Sequence, residues 1–210
     1  TILSASLVVN IAGSPATGQD YVKGTDDAEM VAFVFTAGEG QDVTVTAISF
    51  DAAADDTSDA DLTAADYAGG DNGEAAADFL SVIKISSGGE VIDTDSLDSN
   101  DQVTFDSLNW TIEAGTSETL LVSADIATTV SNDESVAIAI NSVTAEYGTG
   151  TALTTTLAGD NNANGGLVVS QNLDETGDLA QSAYADTPEN ALVADGSTDV
   201  VFTTVRLDAT

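Results

Sequence analysis

The stretch from Gly24 to Phe50, GTDDAEMVAFVFTAGEGQDVTVTAISF, predicts the core of the fold. It contains two apolar runs rich in β-branched and aromatic residues, joined by the Gly-rich sequence 38–41. Residues 30–35 are apolar on both faces of an extended chain, which is typical of a strand at the centre of a sheet. The glycines between the runs would supply the positive φ that a tight reversal needs. We therefore expect a β-hairpin at the centre of a β-sheet.

The second run also predicts an irregularity in its strand. Its apolar residues fall on odd positions up to Val45 and on even positions from Ile48. Because side chains alternate between the two faces of a strand, such a change of parity indicates one inserted residue. We expect a β-bulge near Ala47. The stretch 136–147 shows the same change, and a second bulge is expected near Asn141.

The rest of the chain supports an all-β fold. Short apolar runs alternate with polar Gly/Asn/Asp clusters, and the 210 residues include only 2 prolines. We expect one immunoglobulin-like or jelly-roll-type β-sandwich domain over residues 1–210, with 160–210 as a C-terminal extension or a partial second repeat. The acidic segment 51–78 is expected to be a long excursion on the surface. The predicted core contains Phe33, Phe35, Phe50, Trp110 and Ile138.

The composition excludes several classes of function. The chain has 36 acidic and 3 basic residues, a formal net charge of −33, and no His or Cys. Such a polyanion does not neutralise a nucleic-acid backbone or dock on an anionic membrane. Without His and Cys, the usual catalytic triads, zinc sites, haem and iron–sulfur ligation and disulfides are absent. We expect no enzyme activity, no nucleic-acid partner and, since no apolar run reaches about 18 residues, no membrane span.

Two clusters of aspartates are candidates for cation binding. Charges within each cluster lie closer together than the screening length of about 8 to 10 Å at ordinary salt, so cations would relieve their repulsion. The sequence 93–98, DTDSLD, resembles the start of an oxygen-rich calcium loop, although it lacks the Gly and Glu of an EF-hand. Bound calcium, adaptation to high salt and plainly solvated loops all stay open. The candidate ligands are Asp93, Asp95, Asp98 and Asp101 in one cluster and Asp55, Asp59 and Asp61 in the other.

Two further residues are candidates for covalent modification. Asn109 begins the triplet 109–111, an N-glycosylation sequon on the predicted outward face of its strand. Lys84 lies between Ile83 and Ile85 in an apolar strand. Two alternatives stay open for this lysine, an isopeptide crosslink to an asparagine and a simple solvent-facing position.

The first twelve residues predict a one-faced strand at the N-terminal end of the chain. Burial of its apolar side chains would yield several kcal/mol, about 1.5 to 3 for each large one. We expect residues 1–12 to be the strand that one subunit donates to the next, and pairing within their own domain is the alternative. The strand 200–207 is the second candidate donor. The predicted assembly residues are Leu3, Leu7, Val9 and Ile11.

A resemblance to a known class of proteins rests on the central stretch. Gly24-Thr25 precedes VAFVFTA at 31–37 and DVTVTAI at 42–48. This pattern resembles the β-sandwich modules of archaeal and bacterial surface proteins, including surface-layer components and pilin-like filament subunits. The resemblance implies a secreted immunoglobulin-like sandwich with a structural role, and it transfers no functional residue. The start at Thr1 rather than Met suggests a removed signal segment or an internal start.

Two functions from different classes follow. The first is a structural subunit of an extracellular polymer, a filament or a surface layer, that forms homopolymers by β-strand exchange. The second is a monomeric, calcium-binding adhesion module at the cell surface. No cofactor is expected for the first function, and Ca²⁺ is the expected cofactor of the second.

Overall fold

The structure, a computed structural model, describes residues 4–55, 75–131, 134–157, 168–175, 179–183 and 205–209. The chain divides into two compact units, Thr1–Glu175 and Thr176–Thr210, whereas the sequence predicts one domain. The described strands are β1 (Leu7–Ile11), β2 (Asp20–Val22), β3 (Ala28–Ala37), β4 (Val43–Asp55), β5 (Leu80–Ser87), β6 (Glu90–Asp95), β7 (Gln102–Phe105), β8 (Trp110–Ile112), β9 (Ser117–Ile126), β10 (Glu134–Tyr147), β11 (Thr151–Leu153), β12 (Thr155–Leu157), β13 (Val168–Asp174), β14 (Leu179–Ala183) and β15 (Val205–Ala209).

The larger unit is a sandwich of two sheets. Sheet A has the strand order β12-β1-β3-β9-β5-β6. Sheet B has the order β2-β13-β10-β4-β7, with β11 beside β10 and β8 beside β4. The pairs β1–β12 and β2–β13 are parallel, and the long central pairs are antiparallel. Apolar side chains from both sheets form one core between them, so the predicted all-β sandwich is confirmed.

The two central runs lie in different sheets, so the predicted hairpin is wrong. β3 is an inner strand of sheet A, and β4 is an inner strand of sheet B. Both strands present aromatic residues to the core, and the rings of Phe33 and Phe50 stack across it with centroids 5.8 Å apart. The glycine at 38 serves a close approach instead of a hairpin turn, because a Cβ there would clash with Oγ of Ser6. The glycines that do make a hairpin are Gly88 and Gly89, with φ of +59° and +84°, between β5 and β6.

Both predicted bulges are confirmed in the β4–β10 pair. The register shifts between Ile140 and Ser142, which leaves Asn141 as the inserted residue, and again where Thr46 lies between two paired residues of β4. A third bulge, which the sequence pattern did not indicate, lies at Met30 in β3. It places Met30 in the core together with the odd-numbered residues that follow, while Ala32, although buried, and Val34 lie on the opposite face of the strand.

The predicted core residues share one core. Phe33, Phe35, Phe50 and Ile138 are buried, and Trp110 is half-buried against them. The ring of Trp110 meets Phe35 edge-on with centroids 4.9 Å apart, so it points inward as predicted. The core therefore reaches from sheet A, through Phe35, to strand β8 at the margin of sheet B.

The surface excursion begins later than the sequence indicates. β4 continues to Asp55 because Ala52 and Ala54 face the core opposite β10, where their small side chains are buried. An alanine-rich acidic segment resembles a loop in its composition, and only the pairing with β10 makes it a strand. Asp55 thus ends a strand, and residues 56–74 lie outside the described part of the chain.

The C-terminal boundary also differs from the prediction. β13 belongs to the larger unit, where it pairs with β2 and β10 and buries Val169 and Leu173. The separate C-terminal part therefore begins after Glu175 and not at residue 160. In the smaller unit β14 and β15 form an antiparallel pair. Of the predicted final strand 200–207, residues 205–207 lie in β15 and 200–204 lie outside the described residues.

Candidate functional site

The predicted assembly strand pairs inside its own chain. β1 is an inner strand of sheet A, with β3 antiparallel on one side and the three-residue β12 parallel on the other. Leu7 and Val9 are buried, and Ile11 is half-buried against the core. For residues 7–11, the structure therefore shows the pairing within their own domain that the sequence leaves open as the alternative to donation. Leu3 lies outside the described residues.

The chain after β1 is fixed to the opposite sheet. The amide of Gln171, a fully buried residue of β13, accepts a hydrogen bond from the backbone N of Gln19 at 2.7 Å and donates to the carbonyl of Ala16 at 3.1 Å. The backbone N of Gly18 donates to the carbonyl of Ser170 at 2.8 Å. The segment 16–19 is therefore anchored on sheet B.

A short connection joins this anchor to β1. Strand β1 ends its contact with β3 where the backbone N of Ala12 donates to the carbonyl of Ala32 at 2.8 Å. Only residues 13–15 separate that bond from the anchored segment, and the space around the α-carbon of Gly13 is open. Gly13 and Ser14 are exposed, whereas Pro15 is buried, so the first two residues of this connection can act as a hinge between a strand of sheet A and a fixed point on sheet B.

The buried amide of Gln171 also satisfies the bulge in β3. Because Met30 is the inserted residue, its carbonyl points away from the ladder, and Nε2 of Gln171 donates to it at 2.9 Å. A buried carbonyl without a partner would cost about 1 to 3 kcal/mol. No motif in the sequence marks Gln171 as a core residue. The alternation of β13, with Val169 and Leu173 inward, is the signal that places position 171 in the core.

Each of the four aspartates of the 93–101 cluster accepts a hydrogen bond from a backbone N–H group. Asp93 and Asp95 each accept a hydrogen bond from the following backbone N at 2.8 Å. Asp98 accepts from the backbone N of Asn100 at 2.7 Å and of Gln102 at 3.1 Å, and these bonds lower the pKa of its carboxyl. A carboxylate oxygen of Asp101 accepts from the backbone N of Ala77 at 3.0 Å.

These carboxylates do not converge on a common point. Within the described ranges, no group of three or more acidic side chains is placed to hold a metal ion. In the second cluster Asp55 ends β4, while Asp59 and Asp61 lie outside the described residues. Calcium binding by these clusters stays a prediction.

Lys84 pairs with aspartates and not with an asparagine. Its Nζ lies 2.8 Å from a carboxylate oxygen of Asp125 and also contacts Asp27. The hydrogen bonds to Asp125 and then Asp27 raise the pKa of Lys84, and the bond from Lys84 lowers the pKa of Asp125. Both shifts favour the charged forms, so Lys84 and Asp125 form an ion pair.

The sequon residue Asn109 is exposed immediately before β8, while its neighbour Trp110 packs inward. This placement leaves the amide accessible, and glycosylation stays a prediction. Across the described residues, no helix is long and apolar enough to cross a membrane.

Comparisons with known proteins find only distant structural likeness. No protein-family model matches the chain, and no curated protein matches its sequence. The chain is similar to a chain of the Coh-OlpC–Doc435 complex, a type I cohesin–dockerin complex from Clostridium thermocellum, with a TM-score of 0.36, 10% identity, and 80% of this chain and 94% of that chain covered. It is also similar to BslA, a bacterial hydrophobin, with a TM-score of 0.23, 11% identity, and 84% and 96% covered. Likeness at these TM-scores does not extend to function.

Proposed function

We propose that this chain is a non-enzymatic structural subunit of an extracellular polymer, a filament or a surface layer, whose subunits are joined by exchange of β1. The observation that carries the proposal is that β1 pairs with two strands of sheet A and is joined to the rest of the chain by a short hinge. This strand lies between β3 and β12 and buries Leu7 and Val9 in the core, and residues 13–15 connect it to the anchored segment 16–19.

Exchange preserves the contacts of β1. A neighbour's β1 can make the same hydrogen bonds to β3 and bury the same two side chains, worth about 3 to 6 kcal/mol together before ordering costs. The net cost of exchange is therefore small, and short hinges favour it. When each subunit donates to the next and the rotation does not close a ring, the product is an open polymer.

Charge also favours a strand over a flat interface. Each copy carries a formal charge of −33, and both described lysines are already engaged in ion pairs within the chain. A flat polar contact would bring like charges together without cations between them. An inserted strand holds copies together through backbone hydrogen bonds and apolar side chains instead. The acidic exterior suits a cation-rich medium outside the cell.

The experiment deletes the donor strand, residues 1–12, from the chain and adds it back as a separate peptide. A chain without residues 1–12 is expected to stay monomeric under conditions in which the full chain polymerises, and to bind a peptide of residues 1–12 in a one-to-one complex. A matched peptide with Leu7→Ser and Val9→Ser is expected to bind at least about a hundredfold more weakly, because two buried apolar side chains are lost. Calorimetry measures both affinities.

A second measurement covers the case in which the shortened chain does not fold. The peptide is then added to the intact chain during assembly, where it is expected to cap growing ends and shorten the polymers seen by electron microscopy. Polymers of unchanged length from the shortened chain would exclude this donor. An intact chain that stays monomeric, whether or not a chelator is present, would exclude the polymer and favour the adhesion module.

A further inference from the structure

The outer face of sheet A carries a patch without charged side chains. Cross-strand pairing aligns three rows on this face: Val8, Thr36 and Ser117; Asn10, Val34 and Thr119; Ala32, Leu121, Ser86 and Val91. We call these rows the neutral patch. None of its residues is acidic, although acidic residues number 36 in the chain. Carboxylates begin at the next rows, with Glu29 and Asp125.

The neutral patch also exposes aliphatic side chains. Val8, Val34, Leu121 and Val91 do not belong to the core, and they are half-buried or exposed on the outside of the sheet. Val91 is 61% exposed, which makes it the one large exposed hydrophobic side chain within the described residues. Small hydroxyl side chains surround these four residues. A surface of this composition gains from burial without leaving charges unpaired.

The outer face of sheet B differs from the neutral patch because it carries carboxylates. Its rows are rich in Thr and Ser, but they include Asp51 opposite Ala139 and Glu146 opposite Thr44. A cationic partner would find carboxylates to pair with on that face and none on the neutral patch. A partner that is itself strongly acidic can approach only where carboxylates are absent.

We propose that the neutral patch packs against the neutral patch of a second copy of this chain, related by a two-fold axis. The same surface then serves both copies, as in an isologous contact. Aliphatic side chains meet at the centre, and the carboxylates of both copies stay at the rim, where salt screens them.

The size of the patch predicts a weak contact. The ten residues of the patch, each covering about 4.8 Å across the strands and about 6.8 Å along them, give roughly 300 to 400 Å² on each copy. Stable interfaces bury about 800 Å² on each partner. The contact therefore holds two separate copies together only weakly. A role as a side-by-side contact between neighbouring polymers rests on the proposed function.

The test is sedimentation velocity of the full chain at two salt concentrations, after removal of any strand-exchanged polymers by size exclusion. Between about 0.1 M and about 1 M salt the screening length falls from about 10 Å to about 3 Å. The unaltered chain is expected to be monomeric at the lower salt and to form dimers at the higher salt. Thr119→Asp, an exposed position in the middle of the patch, is expected to weaken dimerisation at least about tenfold.

The control is Thr144→Asp, the same change at an exposed position on the outer face of sheet B. It is expected to keep the dimer at high salt. An unaltered chain that is monomeric at both salts, or a Thr119→Asp variant that dimerises as well as the control, would overturn the proposal. Neither variant changes residues 1–12, so both are expected to keep strand exchange. A failure of strand exchange would show as the absence of polymers in the size-exclusion step, independently of the dimer.

Discussion

Gln171 joins the two sheets inside the core. Its one amide group serves the carbonyls of Met30 and Ala16 and the backbone N of Gln19. The bulge in β3 and the anchor behind the hinge therefore depend on the same buried side chain. An apolar residue of similar size would fill the space, but it would leave the buried carbonyl of Met30 without this donor and would remove two part-buried bonds to segment 16–19.

Gln171→Leu is expected to lower the free energy of unfolding by about 2 to 4 kcal/mol, since each unsatisfied buried polar group costs about 1 to 3 kcal/mol. Urea denaturation measures the change. The control is Asn172→Leu, next in β13 and facing outward, where the side chain bonds to Asp20 at an exposed site. Its expected effect is below about 1 kcal/mol. Equal effects of the two changes would show that the amide of Gln171 has no special role.

The ion pair between Lys84 and Asp125 predicts a window of pH in which it stabilises the fold. The pKa of Asp125 is lowered from 3.8, so its contribution is present above that pH and is lost as pH falls through the folded pKa. The pKa of Lys84 is raised from 10.5, so its contribution is present below that pH and is lost as pH rises through the folded pKa. The pair stabilises the fold between these limits.

Lys84→Met is therefore expected to cost about 1 kcal/mol at neutral pH and nothing at a pH below the folded pKa of Asp125. Lys23→Met is the matched control, because it changes the net charge equally and removes an ion pair whose acidic partner, Glu175, is 51% exposed. Its expected cost is smaller. A penalty for Lys84→Met that stays constant from acid to neutral pH would exclude the ion pair as its cause.

Strand β3 shows how far alternation alone predicts the fold. The apolar run 30–35 identified an inner strand, and the parity changes identified two bulges, because both follow from the period of two along a strand. The predicted hairpin between β3 and β4 was wrong because parity indicates which residues face a core, but it does not indicate whether two successive strands belong to the same sheet. The bulge at Met30 was missed because the five residues after it are all apolar, so no change of parity marks it.

The candidate site was predictable only in part. The apolar face of residues 1–12 indicated a strand with much to bury, and Leu7 and Val9 are buried as that face requires. The pairing of this strand with β12, the anchor behind the hinge and the bonds of the Gln171 amide depend on contacts across about 150 residues of sequence. No local pattern records such contacts.

Truncation within β3 tests its central position directly. Phe35 is fully buried and meets Trp110, so Phe35→Ala is expected to lower the free energy of unfolding by about 3 to 5 kcal/mol. Val34→Ala, one residue away on the outer face, is expected to cost less than about 1 kcal/mol. Chemical denaturation of both variants measures the difference. A loss below about 1 kcal/mol for Phe35→Ala would show that the strand is peripheral.

The net charge of the chain predicts a dependence of stability on cations. With 33 more acidic than basic residues, the compact state is destabilised by self-repulsion, which salt screens. The melting temperature is expected to rise with molar salt, and also with calcium at lower concentration. Calorimetric scans with Ca²⁺ and with Na⁺ at equal ionic strength measure both effects. Melting that is unchanged under either condition would mean that the acidic clusters are merely solvated.

Strand exchange is the central claim, and a disulfide can record it because the native chain has no cysteine. Val8 of β1 lies directly opposite Thr36 of β3, and both side chains face outward. A chain with Val8→Cys and Thr36→Cys therefore reports which copy supplies the β1 that pairs with a given β3. After assembly, the sample is oxidised and separated on a denaturing gel without reductant. A ladder of covalently linked chains is the predicted result, and assembled material that yields only single chains with internal disulfides would contradict it.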